Sequence, residues 1–247
     1  MKILVVNLIN RKRITSIAGV ILILTILVSA SIGIVTNIYS QDLTLVSVDS
    51  LPVGKIIILD AGHGGEDPGA VGTNGSLEKD LNLQIVMQMG AILEEKGYVI
   101  VYTRTDDRLL YAEEENIKGI RKISDLKNRC KVAERYPDSI FISIHMNSFG
   151  SKKYSGLQVY YSENNDQSAQ LASNIQNKVK ECMQPENNRA IKPGKNIYIL
   201  ENIPNTSILI ECGFLTNETE CEKLSQKEYQ KELCFSIICG IIEYIEK

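Results

Sequence analysis

The 247-residue chain has no Trp and only two His. Two imidazoles exclude a three-histidine metal site, so a zinc centre built on both would need a carboxylate as third ligand. Positive charge is not in excess either. The 27 Lys+Arg against 30 Asp+Glu give a formal net charge of -3, which argues against a nucleic-acid binder, a class that shows a basic face. The six cysteines (130, 182, 212, 221, 234, 239) never fall in C-x-x-C spacing, which excludes a zinc ribbon or a thioredoxin-type motif. They fall mostly in helix and strand patterns and read as buried free thiols, with one disulfide through Cys221 as the alternative. Internal repeats and low-complexity tracts are missing as well.

What is present begins with a long apolar run. Lys2, Arg11, Lys12 and Arg13 precede residues 14–41, which carry no charge until Asp42. Basic residues before such a run set a cytoplasmic start and export the chain beyond the run. About 20 apolar residues suffice to span a bilayer. Val28-Ser29-Ala30 is also a pattern that a signal peptidase can cut. Residues 1–40 are therefore expected to be a signal anchor or a cleaved signal peptide, with a buried core helix as the remaining alternative. Residues 41–54 read as a short linker. Residues 55–247 are long enough for one domain with a sizeable core, placed outside the cytoplasm.

Within that domain, apolar runs at 55–60, 98–103, 139–145, 156–161, 196–200 and 207–212 read as strands. Segments 76–97, 124–135, 166–183 and 225–247 read as helices, with Ser76 and Ser124 as candidate caps. The alternation predicts an α/β fold: a twisted, mostly parallel sheet of about six strands with helices on both faces. In such sheets functional groups gather at the carboxyl ends of strands. His63 follows the first strand, His145 ends the third, and Glu211 ends the last.

"ILDAGHGGEDPGAVG" (58–72) is glycine-rich but matches no phosphate-loop pattern. It holds His63 instead. His63 and His145 are two candidate zinc ligands. Glu78, in the first turn of the helix after the loop, is the best candidate for the third, although a carboxylate there also suits the helix dipole. Glu113, Glu114 and Glu115 read as a solvated run. Glu211 closes an apolar strand, a costly place for a carboxylate unless it is paired or functional. It is either a salt-bridge partner of Arg104 or Arg129, or a general base.

"ILDAGHGGEDPGAVG", "EKDLNL", "TRTDD", "DLKNRCKVAERYPDSIFISIHMNS" and "LIECGFLTN" come in an order that resembles the zinc-dependent N-acetylmuramoyl-L-alanine amidases of the amidase-3 family. The apolar leader and the lack of added wall-binding modules make the chain most similar to the germination-specific amidases of the spore cortex. The resemblance implies one zinc ion on His63, Glu78 and His145, with Glu211 as the catalytic glutamate. It implies hydrolysis of the amide between the muramic acid lactyl group and L-alanine of peptidoglycan. In the spore, that step precedes muramic lactam formation. Some members of the family need an activating protein partner. Thr206-Ser207 and Glu201 depart from the family pattern, at positions expected to shape the substrate groove. Arg189 and Lys192 are candidate contacts to stem-peptide carboxylates or phosphate, with two solvated basic loop residues as the plainer reading. Asn147 could orient a ligand or bind substrate, with a turn-forming Asn at a strand end as an equal alternative. A wall peptidase of carboxypeptidase type and a non-catalytic wall-binding protein are the rival readings.

Overall fold

A computed structural model describes residues 54–247 apart from 112, 118 and 119. The expected leader (1–40) and all but the last residue of the linker (41–54) lie outside the described residues. Among the described residues, no helix is long and apolar enough to cross a membrane.

Six strands form one sheet in the order β2-β1-β3-β6-β4-β5. They are β1 (Ile56–Ala61), β2 (Val99–Tyr102), β3 (Ile140–Asn147), β4 (Gln158–Tyr161), β5 (Lys192–Pro193) and β6 (Thr206–Phe214). All neighbours run parallel except β4 against β6, so the sheet is mixed. Six helices connect or flank them: α1 (Glu78–Glu95), α2 (Arg121–Glu134), α3 (Gln167–Cys182), α4 (Tyr198–Asn202), α5 (Glu218–Leu224) and α6 (Lys227–Ile245).

Successive strand residues point to opposite faces, and the two faces differ in chemistry. One carries Ile57, Leu59, Ile142, Ile144, Val159, Ile208, Ile210 and Cys212, all fully buried in a single aliphatic cluster with residues of α1, α3 and α6. On the other, Ile58 and Phe141 pack on Cys130 and Ala133 of α2 and on Ile199 and Ile203 at α4. Toward the carboxyl ends of β1, β3 and β6 that second face turns polar. Asp60 stands opposite Ser143, His145 opposite Glu211, and Glu211 opposite Gln158.

Several expected boundaries move. Residues 196–200, expected as a strand, lie largely in α4. Ile199, Leu200 and Ile203 are buried at helical spacing, and a short apolar run does not distinguish the two periods. The edge strand is Lys192–Pro193 instead. The closing segment 225–247 forms one helix, α6, as expected, and the short α5 precedes it. Neither Ser76 nor Ser124 caps a helix: α1 starts after Leu77, and Ser124 is buried inside α2. β3 and β6 run past His145 and Glu211, ending at Asn147 and Phe214 with a register shift between His145 and Asn147. All six cysteines are free, including Cys221, whose Sγ lies 3.1 Å from Asn74 Oδ1. Cys182 is exposed rather than buried.

Candidate metal centre

The loop after β1 is shaped to present one imidazole. His63 has φ 61°, a conformation uncommon for a residue with a Cβ and one that clusters at functional sites. The loop is fastened from beneath by two buried arginines. Arg129 donates to Ala61 O at 2.7 Å and His63 O at 2.8 Å, while Arg104 donates to Ala61 O at 2.9 Å and Gly62 O at 3.0 Å. Arg129 also pairs with Asp60 at 2.5 Å and Asp125 at 2.8 Å. Neither arginine pairs with Asp67 or with Glu211, and Arg104 meets Asp106 through its main-chain carbonyl. The salt-bridge reading of Glu211 therefore fails for both arginines.

His63 Nδ1 lies 2.9 Å from Asp67 Oδ2. An ionised carboxylate only accepts, so Nδ1 donates to Asp67, and Nε2, which faces Glu78, is the nitrogen that would turn to a metal. This is the second support that metal-binding imidazoles usually have. His63 Nε2 is 3.1 Å from Glu78 Oε1, and His145 Nδ1 is 3.0 Å from the same oxygen. Glu78 is fixed by main-chain donors as well: Met146 N reaches Oε1 at 3.0 Å, and Ala70 N reaches Oε2 at 2.8 Å. His63, Glu78 and His145 thus offer ligand atoms that all lie within 4.8 Å of one another.

The surroundings leave little slack. A Cβ on Gly62 would sit 2.2 Å from His145 Nε2, and one on Gly69 would sit 2.5 Å from Glu78 Oε2 and 2.8 Å from His63 Cδ2. Two imidazoles and a carboxylate converging in a cradle that admits no methyl group fit a zinc ion held by three protein ligands.

The two carboxylates at this edge are tuned in opposite directions. Burial pushes Glu78 up, but hydrogen bonds and charge from His145 and His63 outweigh it and hold the group far below the usual carboxylate range. Burial also works against the charged form of His63, yet Glu78 and Asp67 raise its pKa. Glu211 has no such compensation. Burial pushes it up to about 7, His145 and His63 draw it down, and the charge of Glu78 adds to the rise. Glu211 Oε2 is buried without a hydrogen-bond partner. A polar atom in that state calls for an explanation such as a catalytic role, and carboxylates with opposed environments mark separate roles.

The N-acetylmuramoyl-L-alanine amidase family matches residues 57–243. The chain belongs to this family. It is 37% identical over 196 residues to the germination-specific N-acetylmuramoyl-L-alanine amidase of Bacillus subtilis, covering 79% of this chain and 82% of that protein. The structure is similar to the CwlD amidase of Clostridioides difficile, solved in complex with the GerS lipoprotein. The TM-score is 0.75, with 40% identity over 78% of this chain and 99% of that one. The AmiC2 amidase of Nostoc punctiforme matches with a TM-score of 0.67 and 32% identity, over 78% and 98% of the two chains.

The remaining expected contacts of this amidase are spread along the same edge. Asn147 ends β3 opposite Phe214, and its carbonyl accepts from Leu215 N. It stands beside the triad and does not belong to it. Arg189 donates to Ser155 O at 2.8 Å and Gln158 Oε1 at 3.1 Å. Lys192 sits on β5 opposite Tyr160, a register that places it on the face of Glu211. Gln158 and Tyr160 went unnoticed in the sequence because their closeness to Glu211 follows from the antiparallel β4–β6 pairing, which no local pattern announces. Thr206 and Ser207 lie at the amino end of β6, with Ser207 N on Ser168 Oγ, at the opposite end of the strand from the triad.

Proposed function

We propose that the chain hydrolyses the amide joining the lactyl group of N-acetylmuramic acid to L-alanine of the peptidoglycan stem peptide, using one zinc ion. The observation that carries this reading is Glu211, a half-buried carboxylate whose Oε2 is buried and unpartnered and whose pKa is pushed up to about 7, paired in register with a member of a His/Glu/His triad. His63, Glu78 and His145 would hold the ion. When bound, it would polarise the scissile carbonyl and acidify water.

The protein's own groups do the rest. Asp67 and Glu78 orient the two imidazoles and fix the tautomer of His63. Glu211 accepts the proton of the attacking water through the free Oε2 and returns it to the leaving amine nitrogen of L-alanine. Asn147, two residues past His145, and Arg189 and Lys192, joined to the face of Glu211 through Gln158 and Tyr160, would meet the substrate.

The similarity to the germination-specific amidase supports action on spore-cortex peptidoglycan, outside the cytoplasm, with residues 1–40 as the exporting signal or anchor and 55–247 as the catalytic domain. The complex of the C. difficile amidase with a lipoprotein supports a protein partner for this chain too.

The reading is tested by incubating the purified chain and zinc with glycan fragments that carry stem peptides. Mass spectrometry should show glycan fragments whose N-acetylmuramic acid carries a free lactyl carboxyl, together with peptides beginning at L-alanine. Cleavage only between residues of the peptide would replace the amidase by a peptidase.

A further inference from the structure

A cavity of about 660 Å³ is lined among others by Lys153, Tyr154, Gly156, Asn187, Arg189 and Lys223. It is separated from Glu211 by a short bridge of side chains. Gln158 stands opposite Glu211 in the sheet, and Arg189 bonds Gln158. Arg189 thus links the cavity to Glu211 through Gln158.

The guanidinium of Arg189 is held in place before any ligand arrives. It lies 4.5 Å from the ring centre of Phe214 and 5.8 Å from that of Tyr154. Nε and Nη1 are taken up by Ser155 O and Gln158 Oε1, which leaves Nη2 without a protein hydrogen bond among the described residues. Lys153 and Lys223 are exposed, and neither forms an ion pair among the described residues. Two carboxylates line the cavity: Glu186 is exposed, while Glu220 is turned inward onto Phe214 N at 2.7 Å and Gly156 N at 2.8 Å, and its burial raises its pKa. In a chain with net charge -3, this opening sets three cationic side chains against two carboxylates, one of them turned inward, and is rich in amide groups. An arginine fork fixed on aromatic rings, with two mobile ammonium groups near it, is suited to a carboxylate.

We propose that this cavity is a carboxylate subsite that seats the acidic peptide side of the substrate, with Arg189 as its fixed contact and Lys153 and Lys223 as its charged rim. The assignment rests on the amidase reading and gives the substrate a direction: peptide toward Arg189 and α5, glycan on the other side of Glu211.

The probes are L-Ala-γ-D-Glu with free carboxylates and its diamide, titrated calorimetrically into the full chain. The free acid should bind at least about tenfold more tightly, since a charged hydrogen bond is worth that much. Lys153→Gln with Lys223→Gln should remove most of that difference, and so should 0.5 M KCl, about the ionic strength at which exposed charges are screened. Arg189→Gln should abolish it, while Arg189→Lys should restore part. Equal affinity for acid and diamide in the wild type would overturn the subsite, as would discrimination that survives in the triple Lys153/Arg189/Lys223 variant. Parallel assays on muramoyl-peptides keep the two readings apart. A chain that prefers the acid in binding but releases no peptide keeps the subsite and loses the amidase assignment.

Discussion

The two faces of the sheet obey different rules. The face under α1, α3 and α6 is built of Ile, Leu and Val packed without exposed surface. The opposite face gives up that packing beyond Ile58 and Phe141 and carries Asp60, His145, Glu211 and Gln158 instead. One face supplies the hydrophobic stabilisation, at roughly 25 cal/mol per Å² of apolar area buried. The other spends part of it on desolvated polar groups that a purely structural sheet would not keep. Substitutions should separate the two faces: on the polar face activity should fall before stability, and on the aliphatic face the order should reverse.

The largest effect is expected at Glu211. Glu211→Gln removes the proton acceptor but keeps the shape, so peptide release should slow by about 10²–10⁴-fold. Zinc content by elemental analysis and the denaturation midpoint should stay close to wild type. His63→Ala should also stop turnover, but through loss of metal. A Glu211→Gln protein that releases peptide at the wild-type rate would remove the carboxylate from the reaction.

Next comes the polar support beneath the His63 loop. Arg129→Met strands Asp60 as a buried charge, an imbalance that costs about 3–5 kcal/mol, measured by urea denaturation. The same pair makes an acid-stability prediction. Burial raises the pKa of Asp60, but the charge of Arg129 and the hydroxyls of Ser143 and Thr103 prevail and hold it below 3.8. A carboxylate depressed in the folded state binds protons more readily when unfolded. Its contribution is therefore present above roughly pH 4 and lost as pH falls through the lower folded value. Wild type should lose stability between pH 4 and pH 3, within the range of the unfolded pKa of about 3.9, and Asp60→Asn should flatten that slope.

On the aliphatic face, Ile142→Ala leaves a cavity in the centre of the sheet. The expected cost is about 2–5 kcal/mol. Turnover per folded molecule should be unchanged, since Ile142 points away from the polar face.

How much of this contrast the sequence discloses depends on the length scale of each feature. The grouping of His63, Glu78 and His145 and the place of Glu211 beside His145 were legible because each lies near the carboxyl end of a strand or at a helix start, and periodicity locates those. The apolar runs of β1, β3 and β6 disclosed a buried sheet for the same reason. The partners of Arg104 and Arg129 were not legible. Their contacts span dozens of residues and depend on which strands are neighbours. The antiparallel turn of β4, which brings Gln158 and Arg189 toward Glu211, is equally non-local. The segment 196–200 misled because five residues with four apolar or aromatic side chains fit either period.

The smallest contrast concerns two glycines with left-handed backbones. Gly69 has φ +66° and Gly97 has φ +89°, so an alanine at either position is strained by about 1 kcal/mol. What a methyl group would meet differs. At Gly97 nothing lies within 4 Å, whereas at Gly69 the methyl would press on Glu78 and His63. Gly97→Ala should therefore show the backbone cost alone, as a small drop in the denaturation midpoint with full activity. Gly69→Ala adds displacement of two metal ligands. Zinc affinity, read by competition with a chelator, should fall by about 10–100-fold, the scale seen when a ligand's support is disturbed. The two costs come from different sources, so excess zinc should restore activity to Gly69→Ala while leaving its backbone strain in place. If Gly69→Ala binds zinc as tightly as Gly97→Ala does, the cradle around Glu78 is looser than its geometry indicates, and the contrast between the faces would then rest on Glu211 alone.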